Sequence, residues 1–448
     1  MARTEKTKYL IIGNSAGGIG AAEAIREVDK AGAITIISDE PYPAYSRPMI
    51  SEYLVESCPI ERMLYRPPDF YEKNSIGTLL DEKVVQVDFN EHTVKLESGR
   101  TLTWQKLLLA TGGLPILPEI EGIGLKGVFT FNKLDDAKAI DEFLNQYTRK
   151  VRAMVIGGGL IGVSVTEALV KRGVEVNIVE MKERILNTIL DEEASALEEK
   201  ALTQAGVEII CGHTASTIDS YFPEKVNGVS LDDGRSLPCD MVVIAIGVQP
   251  RLELVSGSKI KTNRGILVGR NMETSVPDVY ACGDVAEAYD FVCGENRLTP
   301  VWPNAYTGGR TAGLNMAGIS TEYPGGTAIN AMKYFGVNIV SAGEVALLDN
   351  SCEIVSERHG DIYKKVVLKK GQIAGLVFAG DIEKSGIVYN LMKDRVNVDS
   401  FKEALVADDF GLASLPEEIW RDKLAIPPPE LTPSVTSIEE PEEAIISE

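Results

Sequence analysis

Two stretches of the chain repeat one another without a gap. VKLESGRTLTWQKLLLATGGLP, residues 94–115, and VSLDDGRSLPCDMVVIAIGVQP, residues 229–250, lie at a constant offset of 135. Valine, leucine, Gly-Arg, leucine, alanine, glycine and proline recur in step, so the fold must hold two similar units. In each copy alternating apolar residues flank a turn, at Ser98-Gly99 or Asp233-Gly234, which predicts a hairpin. A continuous apolar run follows, Leu107 to Ala110 or Met241 to Ile246, as a strand covered on both faces requires.

Each copy has a glycine loop upstream. In the second, Gly157, Gly159 and Gly162 fit G-x-G-x-x-G between an apolar strand and a helix with Ile161, Val165, Ala168 and Leu169 on one face. That helix stops at Gly173, strand Val174 to Val179 follows, and Glu180 closes it 23 residues after Gly157. This is a dinucleotide arrangement: glycines admit a pyrophosphate to the helix N-terminus, and the carboxylate accepts hydrogen bonds from ribose hydroxyls. Leu160 and Gly247 join the candidate contacts. A carboxylate at Glu180 repels a 2′-phosphate, which favours NADH over NADPH, although Lys182 and Arg184 leave NADPH open.

The first loop, GNSAGGIG from Gly13 to Gly20, follows the apolar run Tyr9 to Ile12, and Ser15 stands at the middle glycine position. Its context is otherwise the same: Ile19, Ala22, Ile25 and Val28 on one helix face, strand Ile34 to Ser38, then Asp39 and Glu40. Serine hinders close approach only slightly, so Gly13, Ser15, Ala16, Gly17 and Gly18 form a second candidate nucleotide loop. Two such sites on one chain imply that one cofactor hands electrons to the other. A third element, TSVPDVYACGDVAE (274–287), reads as a turn, a short strand and Asp284 capping a following helix.

At 448 residues the chain calls for about three domains. Its 45 basic and 66 acidic residues give a net charge of −21, which disfavours nucleic acid and anionic lipid as partners. No uncharged run approaches the roughly 20 residues of a membrane span, and the N-terminus lacks a signal-peptide pattern, so a cytoplasmic location is expected. Six cysteines are scattered without C-x-x-C and read as buried free thiols. No metal site is expected, and His92, His213 and His359 receive no role.

Taken together, the two loops, ATGG at 110–113 and the Gly283-Asp284 pair resemble the two-dinucleotide-binding flavoproteins called pyridine nucleotide-disulfide oxidoreductases, over residues 8 to about 415. The resemblance implies an α/β fold with two Rossmann-like domains and a C-terminal α+β interface domain. The expected boundaries are 1–119 with 245–325 for FAD, 120–244 for NAD(P)H inserted between them, and 326–420 for the interface domain, a candidate homodimer contact. An acidic, disordered tail is expected over 425–448. The resemblance further implies that the first loop, Ala110, Thr111 and Gly112 bind FAD, with Asp39 and Glu40 at its ribose and Val84 at its adenine. Gly283 and Asp284 would hold the ribityl and phosphate portion.

PAYSRPMISEYL (43–54) resembles the stretch that lies along the flavin in rubredoxin and ferredoxin reductases and nitrite reductase flavin domains, which assigns Ser46, Arg47 and Pro48 to FAD. Disulfide-reducing relatives carry a redox cysteine there, and none occurs in residues 1–57. Glu52 and Ser164 stand where many relatives have a Lys–Glu pair. The helix beginning near Trp302 resembles the one whose positive end faces the flavin, with Trp302 as ring contact. In the C-terminal third, strands are expected at Ile339–Ala342, Tyr363–Leu368 and Ile373–Ala379, then a helix at Ile382–Asp394. The expected function is transfer of electrons from NADH through FAD to a rubredoxin or ferredoxin, with no catalytic side chain. A nitrite-reductase-type component, an NADH oxidase and a non-catalytic NADH sensor are the alternatives. Lys364, Lys365, Lys369, Lys370 and Arg395 are candidates for a basic docking patch.

Overall fold

The computed structural model describes residues 5–55, 58–221, 224–346 and 351–425, so the expected acidic tail lies, after its first residue, outside the described residues. Two five-stranded parallel sheets share one topology. The first runs Val279–Ala281, Lys106–Leu109, Tyr9–Ile12, Ile34–Ile37, Ile76–Leu79, and the second Val128–Thr130, Met241–Ile244, Arg152–Ile156, Glu175–Glu180, Glu208–Cys211. Tyr9, Leu10, Ile11 and Ile12 are all buried, as a central strand covered on both faces requires. The 135-residue offset survives folding: Lys106–Leu109 and Met241–Ile244 occupy the same place in the two sheets. The prolines that end the repeats lie in Gly113–Pro115 and Val248–Pro250, which pair antiparallel with one another, Leu114 opposite Gln249. Equivalent segments of the two copies thus form the ribbon that joins the units.

Strand order reverses beside Tyr9–Ile12 and beside Arg152–Ile156, and at such a switch point a crevice opens outside the carboxyl ends of the strands. Helix Ala16–Val28 leaves the first crevice and crosses helix Trp302–Met316 at backbone contact. A Cβ on Gly309 would meet the Gly17 carbonyl at 2.0 Å, and one on Gly313 the Ala21 carbonyl at 2.4 Å. This crossing draws the N-terminus of the later helix to the first loop. Contrary to the sequence reading, Val28 is exposed at the end of its helix. Arg26 is buried instead, donating to the carbonyls of Asp29, Gly32, Asn74 and Ser75.

The third unit is an antiparallel sheet in the order Ile329–Tyr334, Val337–Gly343, Gln372–Ala379, Ile362–Lys369, Cys352–His359. Its residues alternate between two cores: Leu376 and Phe378 pack with Val388 and Leu391 of helix Ser385–Lys393, whereas Val377 and Ala379 pack with Val163 and Leu197 of the nucleotide unit. The sequence reading missed both edge strands. Along Cys352–His359 only Val355 is buried, so no apolar period marks it. The proposed basic patch is also corrected. Lys364 and Lys365 are buried on a central strand, the first paired with Asp381 (2.8 Å) and Asp408 (3.0 Å), the second with Asp191 (2.9 Å). Asp284 caps no helix; Gly283–Val285 is a single 3-10 turn leading into strand Ala286–Asp290. Among the described residues no helix is long and apolar enough to cross a membrane.

On helix Glu192–Gln204, Glu198 is fully buried and neither carboxylate oxygen has a hydrogen-bond partner. Burial, reinforced by the charge of Glu167, pushes its pKa up to about 8 from 4.5. The folded state therefore binds this proton more tightly than the unfolded state, so its contribution is present below pH ~4.5 and is lost as pH rises toward ~8. Glu198→Gln keeps the shape and removes the ionisation. The variant's melting temperature should fall less than that of the parent between pH 5 and pH 8.5, and equal slopes in thermal unfolding would refute this account.

Candidate functional site

A single cleft of about 730 Å³ follows the first crevice and continues to the second glycine loop and the C-terminal sheet. Gly13, Ser15, Ala16 and Gly17 line its floor, with Ala110, Thr111 and Gly112 from the adjacent strand end. Gly13 has φ 120°, and a Cβ there would lie 2.1 Å from the Ala110 carbonyl oxygen. Gly18 sits behind the wall, where a Cβ would lie 2.0 Å from the Gly13 carbonyl oxygen. The second loop repeats this: Gly157 has φ 109° and abuts the Ala245 carbonyl, and a Cβ on Gly162 would lie 1.9 Å from the Gly157 carbonyl oxygen. A Cβ on Gly159, the counterpart of Ser15, meets nothing within 4 Å. The middle position thus has room for a side chain, and the outer two do not.

At one end of the cleft, beside Val84, the Asp39 carboxylate pairs with Arg251 at 2.8 Å. Burial raises the Asp39 pKa, but Arg251 outweighs it and holds the group below its ordinary value. Glu40 also lines the cleft, yet its carboxylate is engaged by the Tyr45 hydroxyl (2.6 Å) and by Arg47. Arg47 donates as well to the Asn132 carbonyl at 3.1 Å, beside Pro48, which shares the cleft wall. Ser46 lies outside the wall, its amide bonded to the Met63 carbonyl at 2.7 Å. Gly283 and Asp284 line the middle of the cleft, where burial raises the Asp284 carboxyl and Arg47 opposes it. Trp302 stands in the wall at the start of its helix, braced edge-on by Tyr65 with ring centroids 4.9 Å apart.

The sequence reading missed three supports. Tyr71 donates to the Asn14 side chain at 2.8 Å and accepts the Ala44 amide at 2.9 Å, fixing the first loop against residues 42–45. Arg251 and Tyr334 also line the cleft. These contacts span tens to hundreds of residues, and no local pattern marks them. Cys282 lines the cleft too, but its sulfur packs under Gly17 and burial pushes its pKa up to about 12, so the thiol stays protonated. Of the six cysteines expected to be buried, Cys58, Cys239 and Cys282 are buried, Cys211 and Cys352 are half-buried, and Cys293 is exposed.

Leu160 and Ile161 reach the cleft, whereas Gly157, Gly159, Gly162, Glu180 and Gly247 lie outside its walls, around the crevice of the second sheet. Glu180 is buried, its two oxygens accepting the amides of Gly158 (2.7 Å) and Lys182 (2.8 Å), so the carboxylate is fixed at the strand end beside the loop. His213 sits beyond it against Asp232 at 3.1 Å, and Asp233 is taken by Arg235 at 2.6 Å.

Residues 7–309 match the model of the family described as pyridine nucleotide-disulphide oxidoreductase. The chain belongs to this family. Its residues 329–396 match the model described as the rubredoxin NAD+ reductase C-terminal domain. Like other members of the pyridine nucleotide-disulphide oxidoreductase family, it is built to bind FAD and NAD(H). It is 30% identical to the NADH-dependent phenylglyoxylate dehydrogenase subunit epsilon of Aromatoleum evansii, over 93% of this chain and 99% of that one. It is 31% identical to the nitrite reductase [NAD(P)H] of Bacillus subtilis over 88% of this chain, which spans only 48% of that protein. Among solved structures, the NADH:rubredoxin oxidoreductase of Clostridium acetobutylicum superposes with a TM-score of 0.72 at 29% identity, covering 88% of this chain and 97% of that one.

The steric contrast within the first loop gives a direct test. Ser15→Gly should leave FAD loading unchanged, whereas Gly18→Val should yield apoprotein, read from the flavin absorbance of the purified protein. A yellow, fully loaded Gly18→Val protein would contradict this account of the loop.

Proposed function

We propose that this chain passes electrons from NADH through FAD to a small iron-sulfur protein of the rubredoxin or ferredoxin type. The observation that carries this reading is the cleft itself. It runs from the first nucleotide loop past Trp302 to the second loop, and among the described residues its sole thiol is the buried, protonated Cys282. Disulfide and persulfide chemistry on a protein cysteine is thereby disfavoured. Bound FAD supplies the step from two-electron hydride acceptance to single-electron release. The chain binds, orients and shields.

In this reading the floor of the first loop, with the N-terminus of helix Ala16–Val28 behind it, holds the FAD pyrophosphate. Asp39, kept ionised by Arg251, takes the adenosine ribose beside Val84, while Glu40 instead holds Arg47 in place. Asp284 takes the ribityl portion, and the positive end of helix Trp302–Met316 faces the ring system, where it favours negative charge. Gly157, Gly159, Gly162 and Gly247 hold NADH with Glu180 on its ribose, and that fixed carboxylate disfavours NADPH. The domain boundaries expected from the sequence, a cytoplasmic location and a homodimer through the C-terminal sheet belong to the same reading.

A second reading, that the chain is the electron-entry part of a larger enzyme, is favoured by its half-length match to nitrite reductase and its full-length match to a dehydrogenase subunit. Anaerobic stopped-flow tests the transfer. NADH should bleach the flavin faster than NADPH does, and added rubredoxin or ferredoxin should restore the oxidised spectrum rapidly. A long-lived reduced complex indifferent to both proteins would overturn the proposal.

A further inference from the structure

The C-terminal sheet closes on the nucleotide unit along a buried seam. On one side stand Ile339, Val377 and Ala379 of the sheet, and on the other Ala194 and Leu197 of helix Glu192–Gln204 with Val163 of helix Leu160–Lys171. Three polar side chains are sealed into the same packing: Thr166, Glu198 and Ser341, exposed by 0%, 0% and 1%. Ser341 belongs to the seam face because it pairs with Val377 across the sheet, while its neighbours Val340 and Ala342 belong to the other core. Thr166 shares the helix face of Val163 and Leu169. Neither hydroxyl and neither Glu198 oxygen has a hydrogen-bond partner. Buried polar groups are nearly always paired, so four unpaired oxygens on three elements set this seam apart from ordinary core.

The charges around Glu198 are like its own or already committed. Helix Leu160–Lys171 brings Glu167, which pairs with Lys171 at 3.2 Å and accepts the Phe335 amide at 2.8 Å. Strand Ile362–Lys369 brings Tyr363 and Lys365, both held by Asp191, at 2.7 and 2.9 Å. Strand Ile329–Tyr334 brings the Tyr334 phenol, and strands Val337–Gly343 and Gln372–Ala379 contain no titratable residue. Strand Glu208–Cys211 brings Glu208, bound by Asn177 at 2.8 Å, and Cys211, whose pKa burial and neighbouring acids push up to about 11. On its own helix Glu193 pairs with Arg358, Lys200 with Asp361 at 2.8 Å, and Glu199 accepts the Ile185 amide at 3.2 Å. None of these groups hydrogen-bonds the Glu198 carboxylate.

An ionised carboxylate without a partner is not tolerated in such a seam: it keeps its proton or takes water in. The cleft lies just beyond. Strand Ile329–Tyr334 lines it with Ile329, Asn330, Ala331, Met332 and Tyr334, and Met332 also joins the seam packing. We propose that Glu198 is a proton-operated latch between the nucleotide unit and the C-terminal sheet: protonated, it keeps the sheet, and the cleft wall the sheet carries, against the two helices, and ionised, it lets them part. Closed, the group titrates at about pH 8; opened to water, it returns to its ordinary 4.5. Opening therefore releases a proton between these values, so the open population rises about tenfold per pH unit from ~4.5 to ~8 and levels off above. The latch is independent of which electron acceptor the protein serves.

The test places a thiol in the seam by Ser341→Cys. The FAD-loaded full chain is treated with iodoacetamide between about pH 6 and pH 8, labelling at each cysteine is read by peptide mass spectrometry, and each rate is divided by that of a small free thiol at the same pH. The corrected rate at position 341 should rise about tenfold per pH unit. Cys282, fully buried in the first unit, should show no such rise. Adding Glu198→Gln, which keeps the shape without the ionisation, should flatten the profile at 341. If that amide prevents folding, Glu198→Leu makes the same comparison and should be equally flat. A flat profile with Glu198 intact, or a slope that survives its replacement, would overturn the proposal. So would labelling of Cys282 in step with position 341, since that would mark unfolding of the whole chain rather than release of the sheet.

Discussion

Close contact between main-chain atoms sets the rest of the molecule. In the first loop the Gly13 α-carbon rests against the Ala110 carbonyl and Gly18 against the Gly13 carbonyl, and in the second Gly157 and Gly162 repeat these contacts. No other residue type fits at these distances, because a Cβ would lie about 2 Å from an oxygen. The contacts bring the strand end, the loop and the helix start together, so several backbone amides and the helix dipole converge on one side of each sheet. The Gly17–Gly309 crossing extends the same device to a second helix, which brings Trp302 to the cleft. A cleft for an extended dinucleotide follows from main-chain packing before any polar side chain is considered.

Buried charge is the second determinant. Arg47, Glu40, Tyr45 and Asp284 form one network in the cleft wall. Burial opposes the charge on Arg47, and its neighbours Tyr45 and Glu40 more than restore it. The network also spans units. Tyr45 accepts the Leu134 amide at 3.0 Å, and Tyr42 donates to Asp135 at 2.6 Å, so residues 42–47 tie the wall of the first crevice to helix Leu134–Leu144. The side chains that shape the cleft therefore also hold its two halves in register.

How far the sequence carried the reading varies by element. The repeat and the glycine loops are local patterns, and the two parallel sheets, their central strands and the helices that follow appear where those patterns lie. Ser15 is explained by its counterpart, because space around Gly159 is open. Asp284 was misread: the segment after it resembles a helix start, but Ala286 and Glu287 pair with Ile266 and Leu267 and continue as a strand. Lys364 and Lys365 look like a solvated pair, yet strand pairing on both sides buries them, and acids from three other segments neutralise them.

By itself the sequence determined the two nucleotide-binding units, the residues of their loops and the family, because strand, turn and helix signals act over a few residues and survive in a repeat. The tertiary structure decided which polar groups meet. Asp39 finds Arg251 across 212 residues, and the Phe335 amide of the C-terminal hairpin finds Glu167 across 168. Such pairings are set by how three packed units close on one cleft, since a hydrogen bond is made only where the backbone delivers both partners within about 3 Å.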